Sequence, residues 1–181
     1  MRVTSLRLNL PLPDEWPKND HPLSGEQIIA NSGEITLHDL SYPAIVSYQH
    51  TCTVRVRYGE TDQMGFVYYG IYAQYYEVGR VEAMRNAGLL YSNLEKEHNI
   101  WMPVMNMHVR FLRPARYDDL LTIHTTVPTL PERDIRFRYE IKNESGLLLN
   151  GALVQLYFLD AGTQQRIDAP DFILQALKPY F

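Results

Sequence analysis

The chain has one cysteine, Cys52, so no intrachain disulfide can staple the fold, and this usage fits a reducing compartment. Free cysteine in a strand-like run reads as a small hydrophobe. No apolar stretch reaches the about 18 residues expected of a membrane-spanning helix. The opening MRVTSLRLNLPLPDEWP lacks the apolar core of a secretory leader, because Pro11, Pro13 and Pro17 interrupt it. Both absences make the cytoplasm the expected location, with no membrane partner. Surplus basic charge is missing as well: the net charge is -4, which gives no reason to expect nucleic acid as a partner.

Three catalytic signatures are also missing. There is no Gly-Xaa-Ser-Xaa-Gly elbow, so a serine-hydrolase route has no support. No glycine loop of the phosphate-cradling kind occurs. His98, His108 and His124 stand apart from any Cys or Glu partner in register, so neither a metal nor another cofactor is expected.

What is present describes an ordinary globular chain. Its 181 residues, 45% hydrophobic and 21% charged, suit one domain with a full core. Residues 1–46 carry five prolines and little periodicity, and read as an irregular arm with one short helix near Ser24 to Ala30. The domain is expected over 47–181.

Within it, Cys52, Val54, Val56 and Tyr58 alternate with Arg55 and Arg57, the pattern of a half-buried strand ending at Tyr58. A turn with Asp62 and Gly65 follows. From Tyr69 to Ala87 no proline occurs, and Tyr72, Ala73, Tyr76, Ala83 and Ala87 recur at helical spacing. Tyr75, Val78, Val81 and Met84 fall on the opposite side, so the helix is expected to be apolar almost all round and buried. Gly88 is placed for a left-handed C-terminal cap, and Gly79 in mid-helix marks a close approach to backbone. Ser92 to Trp101 reads as a surface loop or broken helix. Four strands follow: Met105 to Phe111, Leu121 to Val127, Ile135 to Lys142 and Leu147 to Leu159. A short helix starts near Asp168-Ala169-Pro170. One buried helix with successive strands separated by turns implies an α+β fold, a mainly antiparallel sheet of about five strands around one long central helix.

The turn before that helix is where chemistry can sit. A helix N-terminus presents amides without intrahelical partners and a partial positive charge. Asp62 lies seven residues before Tyr69, and Gly65 lets the chain fold back so that carboxylate and amide face one volume. Such a pair can meet an ester or thioester carbonyl with a carboxylate and an electrophilic N–H. Taken alone, Asp62 reads equally as a turn residue, and Tyr72, Tyr75 and Tyr76 read as pocket lining or as core.

The run D-Q-M-G-F-V-Y-Y-G-I-Y, the following Y-Y-E-V-G-R-V-E and the later F-L-R-P-A-R-Y-D-D-L-L resemble, in order and spacing, the 4-hydroxybenzoyl-CoA thioesterase family of hotdog-fold acyl-CoA thioesterases. The resemblance covers about Thr51 to Leu159. It implies a hotdog fold, an acyl-CoA substrate, hydrolysis to free acid and coenzyme A, and a homodimer or homotetramer. It implies that Asp62 is the catalytic carboxylate and that the Tyr69 amide is the oxyanion donor, although many relatives have histidine where this chain has Tyr69. Substrate-binding positions implied or read nearby are Gly65, Val67, Tyr68, Tyr72 and Tyr76, with Arg133 facing the phosphates of coenzyme A. Arg113, Arg116 and Arg136 are further candidates for those phosphates. The alternative function is a hotdog protein that binds acyl-CoA or an acyl-carrier protein without hydrolysing it.

Overall fold

The structure, a computed structural model, describes residues 47–181. The irregular arm and its short helix lie outside the described residues. Seven strands form one sheet: β1 (Tyr48–Arg55), β2 (Ile100–Trp101), β3 (Val104–Phe111), β4 (Leu120–Val127), β5 (Asp134–Lys142), β6 (Leu148–Asp160) and β7 (Gln165–Ile167). Three α-helices accompany them: α1 (Tyr72–Asn86), α2 (Tyr91–Lys96) and α3 (Asp171–Leu177). Every strand pairing is antiparallel, β1 to β4, β4 to β5 and β5 to β6. The long β6 carries β3 and β2 along its other edge and pairs with β7 near its end.

The strand assignments follow period-two burial. Leu121, Ile123, Thr125 and Val127 on β4 are buried, as are Ile135, Phe137, Tyr139 and Ile141 on β5, so both strands turn one face to the core. Helix α1 packs on that face against β1, β4 and β5. This is the helix-in-sheet arrangement that the sequence predicts, with two short strands, β2 and β7, added to the five expected.

Several local expectations need correction. The first strand stops at Arg55, and Tyr58 opens a 3₁₀ turn, Tyr58–Glu60. Helix α1 is one-sided: Tyr72, Tyr75, Tyr76, Gly79, Arg80, Ala83 and Met84 are buried, a three-to-four stripe, while Ala73 and Val78 are exposed. Alanine and valine on the outer face mimicked burial because hydropathy alone does not fix which side meets the sheet. Gly79 does mark a close approach, but to side chains: an added Cβ would lie 2.7 Å from Thr125 Oγ1 and 2.9 Å from Ile123 Cγ2. Gly88 has φ +83, as its capping role requires. The stretch 92–101 contains most of α2 together with β2. Alternation in β3 does not report burial, since Met105, Met107 and Phe111 are all exposed on a strand that pairs only with β6 among the described residues.

Candidate active site

Two chain segments about fifty residues apart build one cleft. The first runs from β1 to α1. After the 3₁₀ turn, Gly65 N donates to Asp62 O at 2.9 Å and Asp62 N donates to Phe66 O at 2.8 Å, closing a tight turn. Gly65 has φ +75, a conformation that a side chain disfavours. An isolated bridge between Thr61 and Val67 holds the turn's two legs together. The second segment follows β3: Leu112 and Arg113 both donate to Leu149 O, Pro114 bends the chain, and the Ala115 carbonyl accepts Val67 N at 2.9 Å. That last bond ties the second segment to the first.

Between them lies a cleft of about 350 Å³ lined by Asp62, Met64, Phe66, Val67, Tyr69, Tyr72, Phe111, Leu112, Arg113 and Pro114. The volume is in the range of small-ligand sites. Its walls are mostly aromatic and aliphatic, with Asp62 as the one carboxylate and Arg113 as the one cation among the lining residues. Arg113 also donates from Nη1 to Leu148 O at 3.1 Å, and the Arg116 guanidinium stands 4.7 Å from the Phe66 ring centre, a cation–π contact that steadies the turn from outside.

Asp62 serves the turn with one oxygen. Its Oδ1 accepts Met64 N at 2.9 Å and Phe66 N at 3.3 Å, while Oδ2 has no hydrogen-bond partner among the described residues. One oxygen thus fixes the loop, as the turn-residue reading expects, and Asp62 also lines the cleft. The 3₁₀ turn Tyr69–Ile71 runs directly into α1. Tyr68 N donates to Glu60 O and Ile71 N to Tyr68 O, both at 2.9 Å. The amides of Tyr69 and Gly70, between them, have no acceptor among the described residues, so the positive end of this helix is open.

The remaining residues singled out from the sequence divide. Val67 and Tyr72 are buried and line the cleft; burial pushes the Tyr72 phenol up. Gly65 shapes the turn without lining the cleft. Tyr68 is exposed and tilts its ring against Tyr69, centroids 4.4 Å apart. Tyr76 is placed in the core, where its hydroxyl donates to Asn150 Oδ1 and its ring packs on Tyr139 at 4.9 Å. Burial pushes its phenol well above the usual range. Arg133 is remote from the cleft, in a second depression with Glu132, Asp134, Arg136 and Arg166. There it pairs with Asp168 at 3.3 Å. Among the described residues no group of three His, Cys, Asp or Glu side chains could hold a metal, and no helix is long and apolar enough to cross a membrane.

Sequence reasoning missed two buried charges. Glu60 is 8% exposed and Arg80 is 9% exposed. Arg80 lies on the buried face of α1, its guanidinium 5.5 Å from the Tyr91 ring centre. The signal was available for Arg80, which stands four residues after Tyr76 on the buried stripe. Glu60 had none, because a single acidic residue in a turn reads as solvated.

The sequence profile of the thioesterase-like superfamily matches residues 56–177. The chain is 35% identical over 95 residues to the putative acyl-CoA thioesterase YneP of Bacillus subtilis, covering 52% of this chain and 68% of the relative. It is 35% identical over 107 residues to the acyl-CoA thioester hydrolase YbgC of Escherichia coli O157:H7, covering 59% of this chain and 79% of the relative. Among solved structures, the DHNA-CoA thioesterase of Staphylococcus aureus superposes with a TM-score of 0.64 at 28% identity, covering 66% of this chain and 80% of that one.

Proposed function

The chain belongs to the thioesterase-like superfamily, and from that premise we propose that it hydrolyses an acyl-CoA thioester to a free carboxylic acid and coenzyme A. The observation that carries the reading is that Asp62, with one carboxylate oxygen unpartnered among the described residues, and Tyr69, at the start of the α1 segment, line one cleft. Relatives named as acyl-CoA thioesterase and thioester hydrolase support the reaction class.

In this reading the thioester carbonyl enters the cleft with its oxygen toward the Tyr69 amide. As negative charge develops on that oxygen, the amide and the helix end meet it with a fixed dipole in a partly apolar setting. Asp62 Oδ2 supplies the carboxylate, acting on the acyl carbon directly or through a water that it deprotonates. The C–S bond breaks, the acyl group gains a hydroxyl from water, and the sulfur leaves as the thiol. Val67, Tyr72, Phe66 and Phe111 form the walls against the acyl group, Gly65 and Tyr68 aim the helix start, and Tyr76 supports the floor from the core.

We further propose that the working unit is at least a homodimer. Strand β3 exposes Val104, Met105, Met107 and Phe111, and an apolar edge strand is a template for pairing. Antiparallel pairing of β3 with its copy sets the Phe111 end of one protomer, beside the cleft, against the Val104 end of the other. The loop carrying Arg133 lies near the Val104 end, because β5 and β3 meet β6 there through Asp134–Tyr157 and Val104–Leu156. A dimer thus carries Arg133 toward the neighbouring cleft, where coenzyme A phosphates would extend. The cytoplasm remains the proposed location.

The test is thiol release from a panel of aryl- and alkyl-CoA thioesters by the full chain. Turnover of at least one member supports hydrolysis. Saturable binding of the same thioesters without release assigns the chain to acyl-CoA binding instead.

A further inference from the structure

We propose that Glu60 and Tyr75 form a positioning latch that holds the Asp62 turn against the first turns of α1. This rests on the thioesterase reading of the cleft, yet it has its own structural readout. Neither residue lines the cleft, so both act through Asp62 and Tyr69.

The geometry is a three-way junction. Glu60 Oε2 accepts the Tyr75 hydroxyl at 2.8 Å and Arg57 N at 2.7 Å, and Oε1 stands 3.9 Å from Arg57 Nη1. The Glu60 carbonyl accepts Tyr68 N at 2.9 Å. One residue thereby joins the segment leaving β1, the residue just before Tyr69 and the helix three residues past its start. The Thr61–Val67 bridge and the whole Asp62 turn lie between these anchor points.

Glu60 is 8% exposed and Tyr75 is 2% exposed. Burying a carboxylate is costly unless hydrogen bonds repay it, and an apolar pair of the same volume would fill the space without that cost. What the hydrogen-bonded pair adds is direction: a hydrogen bond from the phenol to the Glu60 oxygen fixes the angle between turn and helix, whereas an apolar contact lets them slide. Burial, followed by the Glu60 hydrogen bond, pushes the Tyr75 phenol well above its usual range. The hydroxyl therefore stays a donor wherever the enzyme works.

The experiment uses Tyr75→Phe, Glu60→Gln, Glu60→Ala and the Tyr75→Phe/Glu60→Ala double variant in the full chain. It reads steady-state thiol release and hydrogen exchange over residues 61–70. Tyr75→Phe removes one hydroxyl, so kcat is expected to fall about tenfold or more while KM stays within about threefold, because the cleft walls are untouched. Glu60→Gln keeps an acceptor oxygen and should stay within about fivefold of the parent, whereas Glu60→Ala should match Tyr75→Phe or be slower. The double variant should be no slower than the slower single, since both remove one interaction. Exchange over 61–70 should quicken about tenfold in Tyr75→Phe without any substrate present.

Parent rate together with parent protection in Tyr75→Phe overturns the latch, as does a raised KM at unchanged kcat. A Glu60→Gln variant as slow as Glu60→Ala overturns it too, since charge and not direction would then be the requirement. If Glu60→Ala does not fold, the Tyr75→Phe and Glu60→Gln pair decides the matter. If the parent chain releases no thiol from any thioester, the thioesterase reading falls, and the exchange measurement alone decides the latch.

Discussion

Replacing Tyr69 by proline removes one amide hydrogen at the point where the helix opens. The local backbone accepts the change: Tyr68 has φ -58 and ψ 132, the extended conformation that a residue before proline prefers. Tyr69 is the first residue of its 3₁₀ turn, where proline is tolerated because the N–H has no partner inside the helix. Tyr69 is 65% exposed, so the stability of Tyr69→Ala should lie within about 1 kcal/mol of the parent. Tyr69→Pro should be similarly stable. Loss of a single oxyanion donor typically lowers the rate by about 10²–10³. The Gly70 amide next door also has no acceptor among the described residues, so the expected loss relative to Tyr69→Ala lies near the lower end, about 10²-fold. Thermal melts followed by circular dichroism establish folding, and initial rates of thiol release give kcat for both variants. A folded proline variant as fast as the alanine variant refutes the placement of the donor at Tyr69.

Gly79→Ala tests the packing of α1: the new Cβ meets Thr125, Ile123 and Tyr139 at 2.7, 2.9 and 3.2 Å. Overpacking of about 1–3 kcal/mol exceeds the about 1 kcal/mol gained in helix propensity, so the urea midpoint should fall; an unchanged or higher midpoint contradicts the close approach. Met107→Lys places a charge in the exposed apolar run of β3 and should shift the mass seen by light scattering at micromolar concentration toward the monomer. A parent chain that is already monomeric defeats the dimer. Arg133→Ala should raise KM for acyl-CoA about three- to tenfold with kcat nearly unchanged, the signature of lost uniform binding, and equal kinetics would remove Arg133 from the phosphate contacts.

The strands were legible where burial has period two. In β4 and β5 the alternating residues Leu121 to Val127 and Ile135 to Ile141 are the core, because both strands lie inside the sheet with one face under α1. In β3 the same alternation misled, since Met105 and Met107 are exposed on a strand that pairs only with β6 among the described residues, and apolar pattern alone cannot tell a core from an exposed edge. The short strands β2 and β7 escaped notice because two or three residues carry no periodicity.

Part of the cleft was legible in its turn and its helix start. Asp62, Gly65 and Tyr69 fall together through local geometry alone, within eight residues. The opposite wall, Phe111 to Pro114, depends on the pairing of β3 with β6, a non-local fact. Tyr72 and Tyr76 illustrate the limit of helical spacing: four residues apart on one stripe, the first reaches the cleft and the second bonds Asn150 in the core. Glu60 was invisible because its burial depends on Tyr75, fifteen residues away.

The most direct measurement is thiol release by Asp62→Asn alongside acyl-CoA binding by the same variant. Asparagine keeps the oxygen that accepts Met64 N and Phe66 N, so the turn and the melting temperature should hold to within a few degrees. Removing the carboxylate should lower kcat by about 10²–10⁴-fold while the thioester still binds. A folded Asp62→Asn variant that releases thiol at the parent rate would return Asp62 to a turn residue and contradict the account.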